Sequence, residues 1–186
     1  MIPIPVDGPA VEPVTLMEMR EHLRVDHDAE DELIGGLIRA ARLTVEAASR
    51  RLLIEQRWRV VMDRWPEGGA VVLPLSPLIA VEGITVADEA GADFPVPPER
   101  IEADGLSDPP CILVSRPPQP GRERNGIVIT LRAGYGPAPE DAPATLRLAI
   151  KILVARWFEN RGDIAGGQTL PPEALALVAP FRRARL

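Results

Sequence analysis

The stretch Arg51-Leu52-Leu53-Ile54-Glu55-Gln56-Arg57-Trp58-Arg59-Val60-Val61-Met62-Asp63 decides the fold class, because the hydrophobic period changes inside it. Upstream, Leu33, Ile34, Leu37, Ile38, Ala41, Val45 and Ala48 recur at the three- and four-residue spacing that lines one face of a helix. From Leu52 onward, Ile54, Gln56, Trp58, Val60 and Met62 alternate with Glu55, Arg57, Arg59 and Asp63. Alternate side chains share one face of a strand, so this segment reads as a half-buried strand. Helix and strand are both demanded within a few residues, and the class is α+β.

Upstream of that switch, Asp26-His27-Asp28 begins the long helix, spanning about residues 28–50. Asp28, Glu30, Asp31 and Glu32 crowd its start while Arg50 and Arg51 mark its end, each charge suiting the helix dipole at its own terminus. Gly35-Gly36 costs this helix about 1 kcal/mol per residue against alanine. Close approach by another helix would explain that cost. A shorter helix precedes it. Thr15-Leu16-Met17-Glu18 is a capping box, with Val14 and Met19 at the staple positions, and this helix should stop near Arg24. The first thirteen residues hold four prolines and predict an extended arm, ordered only if something else orders it.

Downstream, Pro66-Glu67-Gly68-Gly69 is a turn, and strands are expected at 70–73, 79–87, 111–115 and 127–133. Proline- and glycine-rich loops fall at 94–98 and 116–126. No helix-length segment separates the strands, so the pairing should be antiparallel. After Gly134-Tyr135-Gly136-Pro137 the helical period returns, with Asp141 and Pro143 placed to open a helix over about 142–160. Leu146, Ala149, Ile150, Leu153 and Trp157 form its main face, and Leu148, Ile152 and Phe158 make the other side apolar too. Such a helix must be covered on both sides. A neighbouring subunit or the chain's own β region could supply that cover.

Beyond a glycine-rich stretch (161–169) with a hinge at Gly166-Gly167-Gln168-Thr169, Pro171-Pro172-Glu173 starts a short helix carrying Leu175, Leu177 and Val178. Pro180 should break it before the tail Phe181-Arg182-Arg183-Ala184-Arg185-Leu186. The expected architecture is a small helical bundle with an inserted antiparallel β region. It forms one domain over 1–186, with a β-rich insertion over 52–135 and a C-terminal arm over 170–186.

Composition narrows function by exclusion. The net charge of −6 argues against a dedicated nucleic-acid binder. The single cysteine, Cys111, rules out an internal disulfide and a cysteine-rich zinc site. Its apolar neighbours Ile112, Leu113 and Val114 predict a buried, inert thiol. The N-terminus lacks the basic start and apolar run of a signal peptide. No stretch reaches the roughly 18 apolar residues of a membrane span, so the expectation is a chain made in the cytoplasm with no membrane partner.

Candidate chemistry fails residue by residue. In the acidic run from Asp26, the sixth and twelfth positions of a calcium loop would be Asp31 and Leu37, where glycine and glutamate are needed. His22 and His27 are five apart, which is wrong for two ligands on one helix face, and should lie at an exposed helix–helix junction. Gly134-Tyr135-Gly136 lacks the third glycine and the lysine of a phosphate loop. No catalytic, cofactor or metal residues are assigned. Two active roles stay open on residues alone: an enzyme using dispersed carboxylates such as Asp26, Asp28 and Asp31, or a small DNA-binding regulator using the basic tail. That tail itself reads either as a frayed end or as an arm whose Phe181 anchors while its arginines pair with a partner's carboxylates.

Five phrases in order carry a resemblance. They are Leu23-Arg24-Val25-Asp26-His27-Asp28-Ala29-Glu30-Asp31 running into Leu37-Ile38-Arg39-Ala40-Ala41; Leu53-Ile54-Glu55-Gln56-Arg57-Trp58 with Asp63-Arg64-Trp65-Pro66; Leu73-Pro74-Leu75-Ser76-Pro77-Leu78; Arg132-Ala133-Gly134-Tyr135-Gly136 leading through Pro143 to Asn160-Arg161-Gly162; and Leu177-Val178-Ala179-Pro180-Phe181-Arg182. Together they resemble the phage head–tail connector (adaptor) family, including the adaptors of gene transfer agents, over nearly the whole chain from Thr15. The resemblance implies a structural, non-enzymatic subunit of a ring, typically dodecameric, at the head–tail junction of a virion or phage-like particle. Its implied partners are the portal protein, tail-side stopper or tail proteins, and further copies of itself. DNA would pass through the lumen without sequence-specific binding. The resemblance recruits Phe181, Arg182, Arg183 and Arg185 to portal docking, and a ring gives Leu148, Ile152 and Phe158 a subunit interface.

Overall fold

The computed structural model describes residues 1–160 and 170–182. The chain divides into two compact units, one of Met1–Ala10 with Glu55–Tyr135 and the other of Val11–Ile54 with Gly136–Leu186.

The first unit is built of strands β1 (Ile2–Asp7), β2 (Gln56–Met62), β3 (Ala70–Val72), β4 (Leu78–Ala87), β5 (Asp93–Pro95), β6 (Ile101–Asp104), β7 (Cys111–Val114) and β8 (Ile127–Ala133). They form a five-stranded sheet in the order β1-β2-β8-β4-β5 and a three-stranded sheet in the order β3-β7-β6. Every pairing is antiparallel. The alternation read in the sequence survives in β2, where Gln56, Val60 and Met62 are buried and Arg57 and Arg59 exposed. Strand β8 obeys it fully, burying Ile127, Ile129, Leu131 and Ala133. The turn before β3 carries Gly69 at φ 76°, where an added Cβ would stand 2.5 Å from the Val114 carbonyl oxygen. Only glycine lets that turn approach β7.

The second unit contains, among the described residues, helices α1 (Leu16–Leu23), α2 (Asp31–Ser49), α3 (Ala144–Glu159) and α4 (Pro172–Val178). Helix α3 packs against α1, α2 and α4. The capping box of α1 is formed as expected: the Glu18 amide donates to Thr15 Oγ1 at 3.1 Å, and the Thr15 amide donates to Glu18 Oε2 at 3.0 Å. Val14 and Met19 are both fully buried beside it, and Arg24 ends the helix in the left-handed region at φ 59°.

Several expectations shift. Helix α2 starts at Asp31, not near residue 28, because the Asp31 amide donates to the Asp28 carbonyl in a turn that precedes the helix. Among the described residues no helix closes on Gly35 or Gly36; a Cβ at either would meet nothing within 4 Å. The N-terminal arm is extended, and what orders it is β2, to which Ile2–Asp7 pairs as an edge strand. The proline-rich region after residue 93 holds β5, a 3-10 turn at Pro98–Arg100 and β6, since Pro95 and Pro98 sit at a strand end and at the first position of a turn where no amide is needed. Asp141 does not open α3; its carboxylate accepts the Ala138 amide in the preceding 3-10 turn, and α3 begins three residues later. Pro180 does not break the chain out of helical geometry, because a 3-10 turn over Ala179–Phe181 continues from α4. Cys111 is half-exposed, since it stands on the outward face of β7.

Candidate interaction surfaces

The helical unit contains a charged cluster that the sequence reading missed. Arg42 and Glu46 lie one turn apart on the buried face of α2. Arg42 donates to Glu12 through Nε at 2.8 Å and to Glu46 through Nη1 at 2.9 Å, and the Leu53 amide donates to the other Glu46 oxygen at 2.9 Å. Burial pushes the Glu46 carboxyl above the usual carboxylate range, despite the Leu53 amide and Arg42. Burial also works against the Arg42 cation, yet its hydrogen bond to Glu12 and the charge of Glu46 hold it above its ordinary value. The cluster therefore fixes two chain segments, at residues 12 and 53, onto α2. The available signal was the four-residue spacing of Arg42 and Glu46 amid apolar helix positions.

A second anchor sits on α3. Arg147 donates to the Pro13 carbonyl at 2.8 Å and to Glu18 at 2.6 Å, with Lys151 Nζ 3.4 Å from the same Glu18 oxygen. Burial alone would raise the Glu18 carboxyl, but the Thr15 amide, Arg147 and Lys151 outweigh it and hold the group below the usual range. Within these clusters Glu46, Glu18 and Arg147 also bind backbone, at Leu53, Thr15 and Pro13, so the charged groups tie chain segments to the helices.

On the outward face of the five-stranded sheet, a ladder of charges crosses the strands. Arg57 Nε donates to Glu82 at 2.6 Å and Arg132 Nη1 to Glu55 at 2.7 Å, while Arg132 Nε lies 3.5 Å from Glu82 and Arg57 4.0 Å from Asp7. In the loops of the same unit, Trp65 donates to the Pro118 carbonyl and the Asn125 amide to Asp63. These contacts tie the 116–126 loop to the end of β2.

The acidic run offers no assembled site. Asp26 and Asp28 are exposed, Asp31 pairs with Arg20 at 3.3 Å, and His22 and His27 are exposed at the α1–α2 junction. Among the described residues no three histidine, cysteine or carboxylate side chains cluster as metal ligands. No described helix is long and apolar enough to cross a membrane.

Of the residues expected to meet partners, Leu148 is 43% exposed on α3, and Ile152 and Phe158 are half-buried. Phe181 is half-buried in the 3-10 turn after α4, and Arg182 follows it exposed. Arg183 and Arg185 lie outside the described residues, as does the hinge expected at Gly166 to Thr169. Exposed Met17 and Leu43 add apolar surface to the helical unit that periodicity did not flag.

Comparison with known proteins gives this arrangement a context. The model of the phage gp6-like head-tail connector protein family matches residues 13–92. Among solved structures, a chain of the neck of an empty gene transfer agent particle, computed with C6 symmetry, shares 26% identity at a TM-score of 0.85. A chain of the native gene transfer agent virion shares 25% at 0.84, and one of the native particle's neck, computed with C12 symmetry, shares 25% at 0.83. Each alignment covers 100% of this chain and 97% of the other. No curated protein sequence matches the chain.

Proposed function

We propose that this chain, which matches the head-tail connector family model over residues 13–92 and resembles gene transfer agent neck chains along its whole length, is a connector that serves as a ring subunit at the head–tail junction of a phage or phage-like particle. The observation that carries this reading is the end-to-end likeness to neck chains, whose particles were computed with C6 and C12 symmetry. The role is structural and not enzymatic, in keeping with the likeness to connector sequences and particle neck chains. The ring is dodecameric, sits beneath the portal, receives tail-side proteins on its far side and lets DNA pass through its lumen. A net charge of −6 suits such a channel, since a basic wall would grip the phosphates.

The C-terminal arm is the portal contact. Phe181 supplies an apolar anchor, and Arg182, Arg183 and Arg185 supply planar guanidinium groups for partner carboxylates. Many weak arms on one ring give an avidity that a single arm lacks. Leu148, Ile152 and Phe158 on α3 contribute to subunit contact. The test is capture of the full chain on purified portal rings, beside a version ending at Ala179. Retention of the full chain and loss of the shortened one is the expected result. Failure of the full chain to bind intact rings would count against the role itself.

A further inference from the structure

A closed ring of identical subunits needs two different patches on each copy, shaped and charged to fit one another. The β unit carries such a pair. Residues directly opposite one another in antiparallel strands share a sheet face. On the outward face of the five-stranded sheet, Ile2, Val61 and Val128 therefore form one row and Ile4, Arg59 and Thr130 the next. Ile2 is 56% and Ile4 45% exposed. Arg57 and Arg132 on this face are matched by carboxylates, whereas exposed Arg59 has no carboxylate partner among the described residues. This surface carries exposed aliphatic side chains beside the charge ladder, with Arg59 an unmatched cation among the described residues.

The three-stranded sheet shows the converse. Its outward face presents Val72 at 55% and Leu113 at 41% exposure, and the register sets Glu102 directly beside Leu113. Glu102 is exposed and has no cationic partner among the described residues. Exposed aliphatics on a sheet face mark an interaction surface. Asp104, in register with Cys111 and Val72, adds a second carboxylate to this face, so both faces carry exposed aliphatics while the unmatched charge is positive on one and negative on the other.

Resting on the ring reading above, we propose that these faces pack sheet upon sheet between neighbouring copies, Arg59 of one copy against Glu102 of the next. The occupant of each face is a second copy of this chain, selected by charge. Leaving either charge buried without the other is costly, so the pair helps set the register in which the two faces meet.

The test uses particles made by the cells that encode the chain. In a Cys111→Ser background, Arg59→Cys combined with Glu102→Cys should give, on mild oxidation, a ladder of disulfide-linked multimers of this chain, and neither single cysteine should. Separately, Arg59→Glu and Glu102→Arg should each lower the amount of chain in particles by about tenfold, and the double swap should restore it. Incorporated chain with no ladder, or single losses that the double swap fails to restore, would overturn the interface and leave the connector role standing. Crosslinks to another particle protein would give the face to that protein and overturn the copy-to-copy contact. Absence of the unaltered chain from particles would remove both.

Discussion

Gly35 and Gly69 show how differently one residue type can matter. At Gly35 and Gly36 open space surrounds the missing Cβ, so Gly35→Ala should stabilise α2 by about 1 kcal/mol and raise the melting temperature by a few degrees. At Gly69 the positive φ and the nearby Val114 carbonyl make alanine strained, and Gly69→Ala should lower the melting temperature instead. The buried Arg42 is a harsher case. Arg42→Ala removes the cation that Glu46 and Glu12 share, and should cost about 3 kcal/mol in denaturant unfolding. Glu18 gives a pH signature. Its folded-state pKa is held below the unfolded value, so its contribution is present above the ordinary glutamate range and lost as pH falls through the folded value. The stability gap between the chain and its Glu18→Gln variant should be constant near neutrality and close in acid. A gap that persists unchanged in acid would contradict that assignment.

Among elements, β1 is the one most loosely tied to a core. All of its side chains are exposed, so pairing with β2 accounts for its order. Removing residues 1–7 should leave the rest folded by circular dichroism while uncovering the β2 edge. Concentration-dependent aggregation in size-exclusion runs is the expected consequence. The sequence showed the arm to be extended but not where it pairs, because four prolines report backbone shape and say nothing of a strand some fifty residues away. Capping chemistry was legible at α1, where Thr15 and Glu18 act across three residues. It misled at α2, where the acidic run from Asp26 suits a helix start equally well at residue 28 or 31, and only the Asp28–Asp31 turn decides.

At the scale of the whole molecule, function rests on surfaces. Ending the chain at Ala179 should leave the melting temperature within a few degrees of the full chain and abolish capture on portal rings, since Phe181 and Arg182 lie after Val178, the last buried residue among those described. Leu148→Asp should likewise melt as the parent does and enter particles poorly if α3 meets a neighbour. Arginine crowding in the tail and the second apolar side of α3 can be read from sequence, because charge runs and helical periodicity are local signals. The sheet faces bearing Arg59 and Glu102 cannot, because a residue's unmatched state depends on what stands across the strands.

The sequence by itself determined the α+β class, the period switch at Leu52, the antiparallel pairing and the α1 cap. Each follows from side-chain spacing or backbone chemistry within a few residues. Tertiary structure alone decided that Met1–Ala10 joins the β unit while Val11–Ile54 does not, that Arg42 clasps Glu12 and Glu46, and which arginine on the outward sheet face lacks a carboxylate among the described residues. Those depend on strand order and helix packing, which bring together residues tens of positions apart, and no local pattern encodes that proximity.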